Sequence, residues 1–233
     1  MTYRFMRREF MLSFDDGPLP EKTDAVVSAL KALRAADGRP VRAAFFMVGG
    51  KPQGFWENRK YYAPYEAWPR KGSLCDHPAL AQSVLAAGHF IGNHTAHHAW
   101  FRWPWLASEK SILREISAWE EAARGALGHG GHKLLRPPYL VNSKNLRAAA
   151  RARDYTVVLG VSTGDALPFA DAAYVKQKAL CILEGWNEPR PCVLVFHDIF
   201  PVTYTCIGEI VRFLQDQGFT LVHFDPERVC ETG

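Results

Sequence analysis

The sequence contains no apolar run long enough to serve as a signal peptide or to span a membrane. Taken as complete, it predicts a cytoplasmic protein; preceded by a leader, it predicts an extracellular or periplasmic one. Its five cysteines (Cys75, Cys181, Cys192, Cys206 and Cys230) form no CxxC pair, and their odd number leaves at least one unpaired in a monomer. Cys181 and Cys192 sit in apolar surroundings and read as buried thiols. Excess charge is small. A net +4 permits an anionic partner without arguing for one. No internal repeat or low-complexity tract is present. What remains is 48% hydrophobic and 22% charged residues over 233 positions, enough for one sizeable core and a single domain.

Apolar runs at 41–48, 133–135, 155–159, 192–196 and 219–222 read as strands, as do the run opening at Met11 and a short one at 89–92. Helical spacing is predicted over 21–36, 77–87, 108–127, 143–153, 172–184 and 207–217. The stretch 51–76 breaks this rhythm and reads as a long surface excursion rich in aromatic and basic residues. Strand and helix alternate about seven times, which predicts a parallel sheet wrapped by helices and closed, or nearly closed, into a barrel. In such a barrel the loops after the strands share one rim, the C-terminal face where active sites are built. Asp15, Asp16, His94, His98, Arg136, Asp165 and His197 all follow predicted strands, and scattered polar residues would not collect there.

The first run, Met11-Leu-Ser-Phe-Asp15-Asp16-Gly-Pro18, ends in adjacent carboxylates. Along an extended chain neighbouring side chains point to opposite sides, so the two acids are expected to do different jobs. Side by side they raise each other's proton affinity, an effect that a bound dication reverses. His94 and His98 are four residues apart, which on a helical turn places them on one face. With Asp16 they make a two-histidine, one-carboxylate set suited to catalytic zinc, though iron also uses such a set. His97, three residues from His94, is a rival ligand. Given a metal, Asp15 is free to take a proton from water, and Arg136 to hold Asp15 through a bidentate contact. A backbone N–H near Tyr139 is placed for an oxyanion, and His197 for protonating a leaving group. Asp165 would keep His197 charged, with Asp198 as the competing partner.

Ser13-Phe-Asp15-Asp16-Gly-Pro18, His94-Thr-x-x-His98, Arg136-Pro-Pro-Tyr139, Asp165 and Val195-x-His197 together resemble the five ordered motifs of the polysaccharide deacetylases, carbohydrate esterase family 4. The resemblance spans roughly 10–222. It implies a distorted (β/α)7 barrel and metal-dependent removal of acetyl groups from sugars, most often N-acetylglucosamine units of chitin-like or peptidoglycan chains. It also implies a divalent metal, zinc foremost, on Asp16, His94 and His98. Asp15 becomes the base, Arg136 its orienter, Tyr139 the oxyanion contact and His197 the acid, while Asp165 matches the fourth-motif aspartate. Removal of O-acetyl groups from xylan-like chains, hydrolysis of another small amide, and silent carbohydrate binding are the alternatives.

Three positions depart from the family pattern: Ala166 where tryptophan is usual, Leu140 where glycine is common, and Val195 for leucine in the substrate-facing fifth motif. The Leu140 loop is therefore expected to differ in backbone shape. Trp100 and Trp103 follow the histidine motif, and Trp56, Tyr61, Tyr62, Tyr65 and Trp68 lie in the excursion. They are candidate walls for sugar rings, which present apolar C–H faces, or alternatively packing, barrel cover or a dimer contact. Nucleic acid is not expected, because the rim aspartates repel phosphates.

Overall fold

The computed structural model describes residues 8–50, 72–101 and 107–229. The first apolar run forms β1 (Glu9–Asp15), the hub of the sheet. One of its edges pairs with β7 (Cys192–His197) over Phe10 to Asp15; the other is shared by β2 (Ala44–Met47) near the carboxyl end and β8 (Thr220–Leu221) near the amino end. The sheet continues from β2 through β3 (Phe90–Asn93) and β4 (Leu134–Leu135) to β5 (Thr156–Val157), every pairing parallel.

Closure comes from one broken strand. β5 pairs with β4, and β6 (Val161–Ser162), after only three intervening residues, pairs with β7 on the other side of the sheet. The single strand expected at 155–159 therefore crosses the seam in two pieces, and the loop expected to run to Asp165 contains the second piece. Gly160 lies at the break. A Cβ there would sit 2.7 Å from the Val193 carbonyl oxygen and the Val195 side chain, so only glycine lets the chain come this close to β7. Counting the broken strand once gives the distorted (β/α)7 barrel of a single domain.

Strand alternation sorts the core into two layers. Met11, Ala44, Phe46, Leu134, Val158 and Val193 face inward as one buried cluster, and Val222, Phe224 and Val229 complete it where β1 begins. Phe10, Leu12, Phe14, Phe45, Leu194 and Phe196 face outward under the helices, with Phe14 stacked on Phe45 at 4.9 Å. The covering helices are α1 (Lys22–Ala32), α2 (Pro78–Ala86), α3 (Glu109–Leu127), α4 (Lys144–Arg151), α5 (Ala172–Gly185) and α6 (Pro201–Asp216), followed by the short α7 (Pro226–Val229). The stripe Ile112, Ile116 and Trp119 of α3 is fully buried, and the Trp119 indole donates to the Met47 carbonyl at 2.7 Å. Truncating such a side chain costs about 3–5 kcal/mol.

Three local expectations need correction. α1 ends at Ala32 rather than Ala36, because 33–41 turns back on itself, with Val41 N–H bonded to the Leu33 carbonyl and Arg34 bridging Pro40. α6 begins six residues before Ile207, at Pro201, whose missing N–H costs nothing in a first turn. Cys181 is exposed, since the inward stripe of α5 is Val175, Ala179 and Leu183; Cys192 is buried as expected. Among the described residues no helix is long and apolar enough to cross a membrane.

Candidate metal centre and active site

On β1 the inward set is Met11, Ser13 and Asp15, so alternation carries Asp15 to the top of the barrel axis. Arg136, two residues beyond inward-facing Leu134, meets it there. One guanidinium N–H group, Nη1, contacts both Asp15 Oδ1 at 2.8 Å and Ser13 Oγ at 2.7 Å, while Nε donates to the Val158 carbonyl at 3.2 Å. Asp15 is thus held through one nitrogen, not by the expected bidentate fork. The fully buried cation also stacks 4.1 Å from the Phe46 ring, worth about 2 kcal/mol in a desolvated setting.

Asp16 is turned out of the strand. Its φ of +81° is in the left-handed region, and its N–H bonds the Phe46 carbonyl at 3.2 Å. This swing separates the two acids: Asp15 goes to Arg136, and Asp16 Oδ1 goes to the histidines, 3.5 Å from His94 Nε2 and 3.0 Å from His98 Nε2. The candidate ligand atoms of Asp16, His94 and His98 lie within 4.8 Å of one another, and all three residues are buried. The donor chemistry fits a divalent cation. His94 Nδ1 lies 2.9 Å from the Arg136 carbonyl, which only accepts, so Nδ1 carries the proton and the Nε2 lone pair faces Asp16.

The histidine segment is not the helical turn that the four-residue spacing suggests. It is a loop after β3, with Thr95 and His98 at φ of +63° and +55°, tied by Thr95 N–H to Asn93 Oδ1 and Ala99 N–H to Thr95 Oγ1. His97, the rival ligand, points to α3 instead, where Glu115 accepts its backbone N–H at 3.0 Å and meets Nδ1 at 2.7 Å. Of the seven non-glycine residues with positive φ among the described residues, Asp16, Thr95, His98, Tyr139 and Leu140 lie in the motif loops. Such conformations cost about 1–3 kcal/mol each and gather where geometry is over-determined. Leu140, at +56°, adopts a left-handed conformation that glycine takes more easily.

On β7 the inward set is Val193, Val195 and His197. Val195 is buried beside Gly160, one layer below His197. Asp165 takes His197 at both ends, accepting its backbone N–H at 2.6 Å and meeting Nδ1 at 2.9 Å. Thr203 Oγ1 donates to the same carboxylate at 2.6 Å. Burial alone lowers the pKa of the imidazole. The charge of Asp165 and its hydrogen bond outweigh this, with smaller help from Asp16 and Asp15, and hold the pKa at about 9. Asp198, the competing partner, turns instead to Thr23 at 2.5 Å.

Tyr139 is 49% exposed, its ring 4.8 Å from that of His98 and 5.6 Å from that of Trp100. The other exposed large hydrophobic residues among those described are Leu167 (40%) and Phe169 (68%), on the loop that carries Asp165. The Tyr139 loop follows β4, and the loop with Leu167 and Phe169 follows β6, beside β7. Trp103, like Trp56, Tyr61, Tyr62, Tyr65 and Trp68 of the excursion, lies outside the described residues. Sequence reasoning assigned no role to Ser13, Glu115, Thr203 or Phe169. Ser13 was available from alternation with Asp15; the others depend on contacts between distant elements.

A family model described as polysaccharide deacetylase matches residues 3–158. Chitin deacetylase 2 of Saccharomyces cerevisiae is 29% identical over 154 residues, covering 65% of this chain and 48% of the yeast protein. The peptidoglycan-N-acetylmuramic acid deacetylase PdaC of Bacillus subtilis is 26% identical over 215 residues, 91% of this chain and 37% of PdaC. The chain thus spans about half the length, or less, of these curated relatives. A family 4 carbohydrate esterase from Streptomyces lividans, solved in complex with acetate, shares the fold with a TM-score of 0.68 at 23% identity, covering 97% of both chains.

Proposed function

Because the chain belongs to the polysaccharide deacetylase family, we propose that it is a metal-dependent hydrolase releasing acetate from N-acetylated sugar units of an oligo- or polysaccharide. The observation that carries this reading is the separation of the two acids: Asp16 joins His94 and His98 as a donor set while Asp15 stays with Arg136. Asp16, His94 and His98 would hold the cation, with zinc the proposed metal. A cation held there supplies Lewis acidity, polarising the acetyl carbonyl and acidifying water.

The remaining steps belong to the side chains. Asp15 accepts the proton of the attacking water, and Arg136 keeps its carboxylate aimed. We assign the oxyanion contact to a backbone N–H near Tyr139. His197 gives its proton to the departing sugar nitrogen as the C–N bond breaks, leaving acetate and a free amine. An amide needs this proton more than an ester does, and the Asp165-held imidazole keeps it through neutral pH; this favours N-acetyl over O-acetyl substrates. Tyr139, Leu167 and Phe169 support a sugar-chain substrate, since they offer apolar surface to pyranose C–H faces beside the site. The test is acetate release from chitooligosaccharides against acetylated xylan, with the bound metal measured on the same sample. Acetate from the first substrate is expected, and release from xylan alone would overturn the N-acetyl assignment.

A further inference from the structure

Asp198 follows His197 in the chain and has no part in the chemistry above, yet it is 1% exposed and one of its oxygens, Oδ1, finds no hydrogen-bond partner among the described residues. A buried carboxyl with an orphan oxygen is a poor filler, and its retention calls for a reason. Three observations supply one. Its Oδ2 accepts from Thr23 Oγ1 at 2.5 Å, and that hydroxyl accepts from the Leu19 N–H at 2.8 Å, so two bonds tie β7 to the segment just after Asp16. The carboxyl fills the space above Gly17, where a Cβ would lie 2.3 Å from Oδ2 and 2.9 Å from Oδ1. The opposite side of the same turn is held by Asp16 N–H on the Phe46 carbonyl and Val48 N–H on the Gly17 carbonyl.

We propose that Asp198, through Gly17 and Thr23, is a positioning residue for the metal centre: it clamps the turn that keeps Asp16 left-handed and its carboxylate directed at His94 and His98. The inference rests on Asp16 being a ligand. It explains why the position after Asp16 has no side chain, and why the buried stripe of α1, otherwise Val26, Val27 and Leu30, opens with a hydroxyl at Thr23. Released from the clamp, Asp16 relaxes toward an ordinary backbone conformation, and the donor set loses its carboxylate position.

The experiment is titration of the metal-free full chain with Co2+, read by its visible absorption, and with Zn2+ by competition. Wild type, Asp198→Ala, Asp198→Asn and Thr23→Val are compared, with melting temperatures taken alongside. Loss of an outer-shell contact weakens metal affinity about 10–100-fold. The alanine and valine variants are expected to fall in that range, and asparagine, which keeps the acceptor and the shape, to bind within about threefold of wild type. Wild-type affinity in both the alanine and valine variants, even with lowered melting temperatures, overturns the proposal. If Asp198→Ala does not fold, Thr23→Val decides alone. Failure of the wild type to bind either ion would instead refute the metal reading.

Discussion

Asp15 and His197 are register partners on the neighbouring parallel strands β1 and β7, each at the top of the inward-facing set of its strand. Parallel pairing therefore delivers the proposed base and acid to the same height on the barrel axis. A one-residue slip of either strand would turn its residue to the outer, helix-covered face. The spacing between the two is set by the sheet rather than by any loop.

Division of labour between the adjacent aspartates gives the first prediction. Asp15→Asn should lower turnover about 10²–10⁴-fold, the usual contribution of a general base, while leaving the metal bound. His94→Ala should lose the metal itself. Metal content and acetate release measured on the same samples separate the two effects. Equal metal loss in both variants would sink the assignment, as would full activity in both.

The Asp165–His197 pair predicts a pH response with a definite sign. His197 acts in its protonated form, so activity falls as pH rises through its pKa, held at about 9 by Asp165. A bound dication repels the imidazolium and pulls that limb somewhat lower. Asp165→Asn removes the charge that raises the pKa, so the alkaline limb of kcat/KM should move to lower pH. Thr203→Val, which removes one donor to Asp165 while keeping the carboxylate, should move it far less. An alkaline limb unmoved in Asp165→Asn would show that His197 is not the acid.

Much of this site was legible in the sequence because its parts lie at strand ends. Alternation predicts that Asp15 and Asp16 do different jobs, and parallel order predicts that the loops share a rim. The His94/His98 pairing was right for a partly wrong reason: a loop with two left-handed residues, not a helical turn, brings the imidazoles together. Backbone conformation of that kind has no periodicity to reveal it. The choice between Asp165 and Asp198 for His197 was equally hidden, since both follow strands, and only the reach of Asp198 to Thr23 on α1 separates them. The break at Gly160 hid the second half of the closing strand, because two residues are too few to show a pattern.

Phe169 predicts chain-length dependence. At 68% exposed, with its ring 5.3 Å edge-on to Tyr174, it offers a face to solvent on the rim loop that lacks the family tryptophan. If a sugar unit beyond the acetylated one rests there, Phe169→Ala should raise KM for long oligomers roughly fivefold, about 1 kcal/mol of lost apolar contact. Turnover and metal content should hold, and dimers should be unaffected. A uniform effect at every chain length would place the residue outside the binding strip.

Arg136 offers the sharpest test of how the base is held in place, because its cation is fully buried and, among the described residues, its ion-pair partner is Asp15. Arg136→Met keeps much of the volume and the contact with Phe46 but removes the charge. Breaking one side of a buried pair typically costs about 3–5 kcal/mol, which denaturant unfolding of the metal-free protein would read directly. The chemical consequence is separate from the cost to the fold. Without the guanidinium Asp15 loses the 2.8 Å contact that aims its carboxylate, so turnover should fall while the metal, held by other residues, stays bound. Wild-type turnover at wild-type metal content would mean that Arg136 supports the fold and has no part in placing the base.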